Sequence, residues 1–160
     1  MTNEVRMVGR FSAPNIMANE LDETQIAALM KGTQFNGCFT KDDLNYIPEG
    51  NTVFNLNGQS HWTAMVKDGN DYFYFDSYGV VPPQLLEDMI MEGLNDGFYL
   101  YNTKEIQAIN SSSCGFYCCA FLKWLDKSKN KIKAFRDFQN LFSDKYLKNE
   151  EILHELLKQH

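Results

Sequence analysis

One stretch limits what this chain can fold into more than any other: Ser111-Ser112-Ser113-Cys114-Gly115-Phe116-Tyr117-Cys118-Cys119-Ala120-Phe121-Leu122-Lys123-Trp124-Leu125. Three small hydroxyl residues lead into a cysteine. An apolar pattern with helical spacing follows, through Phe116, Cys119/Ala120, Leu122/Lys123 and Trp124. Ser112 or Ser113 is suited to cap such a helix, which puts Cys114 in the first turn of a buried helix. There the unpaired backbone N–H groups and the positive end of the helix dipole favour a thiolate over a thiol. A thiolate is a nucleophile. The other three cysteines read as packing residues, and position sets Cys114 apart.

Working as a catalyst, Cys114 needs a base and a group to orient that base, and both stand upstream. From Thr52 the pattern is β. Val53-Phe54-Asn55-Leu56 reads as a strand, Asn57-Gly58 as a turn, and His61 to Val66 as a second strand. Lys67 to Asp71 reads as a hairpin turn and Tyr72 to Asp76 as a third strand. A hairpin centred near Gly69 puts His61 and Asp76 close to opposite each other at its open end. Imidazole titrates near neutrality, so His61 can take and return a proton, and Asp76 can hold its ring. Gln107, seven residues before Cys114, offers an uncharged donor for an oxyanion, and the Cys114 backbone N–H offers another. His154 and His160 have no such partner and read as solvent-facing.

The rest of the chain fits around this group. Asp22-Glu23-Thr24-Gln25 opens a helix that Gly32 stops, and Phe35 to Phe39 reads as a strand. Pro82-Pro83 starts a helix to about Met91, Phe98 to Tyr101 is a strand, and Ile106 to Ile109 is a short strand or extended loop. Lys127 to Lys131 is a basic, solvated turn. Two helices close the chain, near Ile132–Leu141 and Glu150–Lys158. This order predicts an α+β fold, with one mostly antiparallel sheet and helices against it. At 160 residues it reads as a single domain, with residues 1–20 an arm and 127–160 the closing helices. No apolar run approaches the roughly 20 residues that span a bilayer. The first six residues lack an apolar signal core, so secretion is not expected. The C-x3-C-C spacing has no second paired motif, so neither a zinc site nor any other cofactor is expected. The net charge of −6 gives no global pull toward nucleic acid.

His61-Trp62, Tyr74-Phe75-Asp76-Ser77-Tyr78-Gly79, Gln107 and Ser113-Cys114-Gly115-Phe116-Tyr117-Cys118 together resemble the adenain-type cysteine proteases. These are the adenovirus protease and relatives in virophages and self-synthesising DNA transposons. The order His, Asp, Gln, Cys matches theirs, and Phe75-Asp76-Ser77-Tyr78-Gly79 with Pro82-Pro83 is closest to the virophage and transposon members. The likeness covers about residues 20–126. It implies a papain-like fold, with the cysteine on a central helix packed against the sheet that carries His61 and Asp76. It implies a cysteine endopeptidase with catalytic His61, Asp76, Gln107 and Cys114, acting on capsid or other virion precursors, often beside small residues such as glycine. In that frame Trp62 shields His61 and Gly115 permits close approach of substrate. A monomer in the host cytoplasm and the virion, without membrane attachment, is the matching expectation. The adenovirus enzyme is basic and uses DNA and a disulfide-linked peptide. This chain is acidic, and no motif marks Cys38 as a docking point, so neither activator is expected. The alternatives are a protease of ubiquitin-like proteins, which shares the constellation, and a catalytically idle interaction module.

Overall fold

The computed structural model describes residues 20–56 and 61–158. The Asn57-Gly58 turn, His160 and all of the N-terminal arm but Glu20 lie outside the described residues. The chain opens with helix α1 (Glu23–Leu29), which the expected capping box starts: Gln25 N–H donates to Asp22 Oδ1 at 2.8 Å, and Asp22 N–H to Gln25 Oε1 at 2.9 Å. Strands β1 (Phe35–Thr40), β2 (Gly50–Asn55), β3 (Trp62–Asp68) and β4 (Asp71–Phe75) follow. Then come α2 (Gln84–Gly93), β5 (Tyr99–Tyr101), α3 (Cys114–Asp126), α4 (Lys131–Asn140) and α5 (Tyr146–Lys158). The segment Ile106 to Ile109 takes the loop form, and α5 begins a turn earlier than its sequence pattern indicates.

The five strands lie in one sheet in chain order. The two central ladders, β2–β3 and β3–β4, are antiparallel, while β1 and β5 add parallel ladders at the edges. The fold is therefore α+β, and the sheet is more evenly mixed than the hairpin-rich sequence implies. Alternation of side chains across the pleat gives the sheet two apolar faces. One carries Val53, Trp62, Ala64, Val66, Phe73 and Phe75 and is covered by α3, with α1, α4 and α5 around it. The other carries Phe54, Met65, Tyr72 and Tyr74 and is covered by Leu86, Met89 and Ile90 of α2.

Helix α3 is the post at the centre. Every residue from Cys114 to Leu122 is buried, which is why its apolar pattern runs almost all the way round. Aromatic rings fix it to the sheet: Phe121 stacks on Phe75 at 4.8 Å, and Phe138 of α4 meets Phe75 edge-on at 5.6 Å. The first turn of α3 thus sits on a rigid base beside the open end of the β3–β4 hairpin.

Candidate active site

The β3–β4 turn is tighter than its sequence suggests. Asp68 pairs with Asp71, leaving only Gly69 and Asn70 in the loop, with Gly69 at φ +62°. This register pairs Ala64 with Phe75 and, continued past the strand ends, sets His61 across from Tyr78 rather than Asp76. His61 and Asp76 are diagonal neighbours, and long side chains still meet at that offset. His61 Nε2 lies 3.1 Å from Asp76 Oδ1 and 3.2 Å from Oδ2. Tyr78 takes the directly opposed place, and its ring stacks on the imidazole at 4.6 Å with 20° between planes.

Asp76 is buried and held from every side. Tyr78 N–H donates to its Oδ1 at 2.8 Å, and Gly79 N–H donates to its carbonyl at 2.8 Å. Asn102, just past β5, donates its Nδ2–H to the Asp76 carbonyl at 2.7 Å and accepts the Asp76 N–H at 2.9 Å. A side-chain amide there replaces the next strand residue and satisfies buried backbone groups that would otherwise be costly. Gly79 closes the turn at φ +73°, where a Cβ would come within 2.7 Å of the Thr103 carbonyl oxygen.

Cys114 begins α3, buried, and the Trp62 backbone N–H donates to its Sγ at 3.4 Å. With His61 Nε2 committed to Asp76, Nδ1 is left buried without a hydrogen-bond partner among the described residues. Burial alone would depress the His61 imidazolium. The bond to Asp76, with the negative charge of Asp76 and the influence of Cys114, outweighs it, and the pKa is pushed up to about 9. The other thiols differ. Burial raises Cys118 well above its usual range and pushes Cys38 and Cys119 up to about 12, so all three stay protonated and inert at neutral pH.

Gln107 is wholly buried on the loop before α3. Its backbone N–H donates to the Ser77 carbonyl at 3.2 Å, its Oε1 accepts from the Ser77 hydroxyl, and its Nε2 donates to the Ser111 carbonyl at 3.0 Å. These partners fix which end of the amide is nitrogen. One Nε2 hydrogen serves Ser111, and the amide has a second. Tyr78 Oη also donates to the Ser111 carbonyl, at 3.3 Å. His61, Asp76 and Cys114 are thus brought together, and Gln107 is tied to them through Ser77, Tyr78 and Ser111.

The structure adds detail at four residues singled out in the sequence. Trp62 is a core residue: its ring is buried, its Nε1 donates to the Leu21 carbonyl at 3.0 Å, and its backbone N–H meets the Cys114 sulfur. At Gly115 an added Cβ would lie 3.2 Å from Leu21 and Trp62, so the missing side chain permits close packing of the helix start against these two residues. Ser113 is the N-cap residue of α3, yet its side chain makes no capping bond. His154 is half-buried instead of solvent-facing, and burial followed by the Lys158 charge pushes its imidazole down. Tyr78, Asn102 and the Ser77–Gln107 link carried no signal as functional residues. Only the hairpin register points to Tyr78, and only the missing partner of the Asp76 backbone points to Asn102.

No protein-family model matches the chain. In sequence it is similar to a protein named "Protease" of Bovine adenovirus 2, with 29% identity over 111 residues covering 59% of this chain and 54% of that relative. The chain therefore spans about half the length of the curated relative it matches. Among solved structures, it aligns with an ASFV protease at a TM-score of 0.48 and 16% identity, over 79% of this chain and 68% of the other. It aligns with the selenomethionine form of that protease at 0.46 and 16%, over 92% and 55%. The sequence similarity bears out the likeness to adenovirus-protease-type chains carried by the histidine, aspartate, glutamine and cysteine motifs.

Proposed function

We propose that this chain is a cysteine endopeptidase of viral type that cleaves virion precursor proteins. The observation that carries the reading is the bond of His61 to Asp76 beside Cys114, whose sulfur takes the Trp62 N–H at the start of a buried helix. An imidazolium beside a sulfur at a helix N-terminus is the arrangement that keeps a thiolate available at neutral pH.

In this reading the Cys114 thiolate attacks the scissile carbonyl carbon. The oxygen gains the negative charge and is met by the Cys114 backbone N–H and the second Nε2 hydrogen of Gln107. The His61 imidazolium gives its proton to the leaving nitrogen as the C–N bond breaks, and a thioester remains on Cys114. Neutral His61 then takes a proton from water, whose oxygen attacks the thioester. The acid is released and the thiolate returns. Asp76 holds the ring with Nδ1 toward the sulfur through both half-reactions and steadies the imidazolium. Substrates among capsid or other virion proteins, cut beside small residues such as glycine, follow from the likeness to the adenovirus-type proteases.

The test is co-expression with candidate virion precursors, followed by mass spectrometry of the products. Wild type should yield discrete new termini, and Cys114→Ala should yield none while keeping its fold. Identical termini from the two proteins would end the reading. Exclusive trimming of ubiquitin-like tails would move the substrate class to the related deconjugating proteases.

A further inference from the structure

Ser111 and Ser113, just before Cys114, form a bracket with two arms. On one side the Ser111 carbonyl receives Gln107 and Tyr78. On the other the Ser113 hydroxyl turns away from the helix and donates to Glu150 Oε1, on α5, at 2.6 Å. The second oxygen of the same carboxylate accepts from Tyr117 Oη at 2.8 Å. Ser113 and Tyr117 are four residues apart, so they lie one above the other on one side of the first turn of α3. Both are buried, and Glu150 spans that turn from outside.

This arrangement has a chemical consequence. A serine at the N-cap ordinarily accepts from the N–H groups of the helix's first turn. Ser113 has that position, and the Tyr117 N–H does donate to its carbonyl at 3.0 Å, but its hydroxyl makes no capping bond. The Ser113 hydroxyl donates to Glu150 and makes no capping bond, so it does not offset the positive end of the helix beside the sulfur. Charge-assisted hydrogen bonds are short and directional, so the carboxylate also fixes where the first turn stands relative to His61.

We infer that Glu150 is a positioning residue for Cys114: by binding Ser113 and Tyr117 together, it holds the nucleophile's turn in place and keeps the N-cap hydroxyl off the helix N-terminus. The inference rests on the cysteine-nucleophile reading above and extends it to a helix that carries no recognised motif. Glu150 touches neither substrate nor the reacting atoms in this account, and it acts through Ser113.

The test uses the full chain with Glu150→Gln, Ser113→Ala and the double variant. Three quantities are followed: the rate of Cys114 alkylation by iodoacetamide at neutral pH, kcat and KM on a cleaved peptide, and the melting temperature. Each single variant should slow alkylation and lower kcat by about tenfold, with KM within about twofold of wild type. The double variant should be no slower than the worse single one, because both remove the same bond. A lower melting temperature with unchanged alkylation and kcat would overturn the inference and leave Glu150 a structural bolt. Additive losses would overturn it as well. If Glu150→Gln fails to fold, Ser113→Ala decides alone, since it leaves the Tyr117–Glu150 bond in place, and normal alkylation by that variant would refute the inference. Alkylation needs no substrate, so a peptidase assay that stays blank for wild type counts against the proposed function and leaves this result readable.

Discussion

In the proposed mechanism, His61 is the residue whose protonation state decides what Cys114 can do. Its imidazolium form is favoured to about pH 9, against an ordinary value near 6.5. The imidazolium that the proposed mechanism requires is therefore lost on the alkaline side, and kcat/KM should fall through a limb near pH 9. The sign for stability runs the same way: a folded pKa raised above the unfolded one stabilises fully below about pH 6.5, and that contribution fades as pH rises through 9. Asp76→Asn removes the carboxylate that holds the charge while burial continues to oppose it. The limb should then move down by about one unit or more, and the rate at the optimum should drop by on the order of 10³–10⁴. A pH–rate profile of the two proteins checks this. An alkaline limb that Asp76→Asn does not shift would assign that limb to a different group. The stacked Tyr78 ring adds to the same preference, since an aromatic face attracts a cation more than a neutral ring.

Among elements, the turn after β4 carries the greatest demand, because one short segment must present Asp76, Tyr78 and the Ser77 contacts to Gln107. Gly79 makes that possible. Its φ of +73° costs an L-residue about 1–2 kcal/mol, and a methyl group would press on the backbone of Thr103, Lys104 and Glu105. Those neighbours are backbone and cannot swing aside. Gly79→Ala should cost at least about 2 kcal/mol in urea unfolding and weaken the Asp76–Asn102 contacts, with activity per folded molecule falling too. An unchanged unfolding midpoint would show that the loop of residues 103–105 yields freely. Elements like this hairpin are legible in sequence because alternation and turn residues are local signals. The Asp22 capping box is legible for the same reason. The two-residue turn sets a register that local signals do not fix, and it places Tyr78, not Asp76, directly opposite His61. Ser113 defeats local reading altogether: its N-cap position is correct, but a carboxylate far along the chain claims its hydroxyl.

At the scale of the whole molecule, the legible part is the half that carries short-range patterns, and the illegible part is what α5 does to it. The helix reads from sequence only as the last of two helices that close the chain. In the fold it reaches both sides of the nucleophile, with Glu150 on the first turn of α3 and Asn149 on the loop that leads to Gln107. Asn149 is fully buried: its Nδ2 donates to the Ile106 carbonyl at 2.9 Å and the Ser143 carbonyl at 2.7 Å, and its Oδ1 accepts the Ser143 N–H at 3.0 Å. Ile106 N–H in turn donates to the Ser77 carbonyl at 2.9 Å, so a continuous chain of bonds runs from α5 to the turn after Asp76. Asn149→Ala breaks that chain and strands the Ile106 carbonyl in a buried place. A buried acceptor left without its donor costs about 1–3 kcal/mol, and further stranded groups add to it. Urea unfolding should therefore show a lower midpoint with an unchanged slope, since the helix remains part of one cooperative structure. A shallower or two-step transition would instead mean that α5 detaches first. In that case the sheet with α3 would hold the site without it, and the contacts of Asn149 and Glu150 would be local to the last helix.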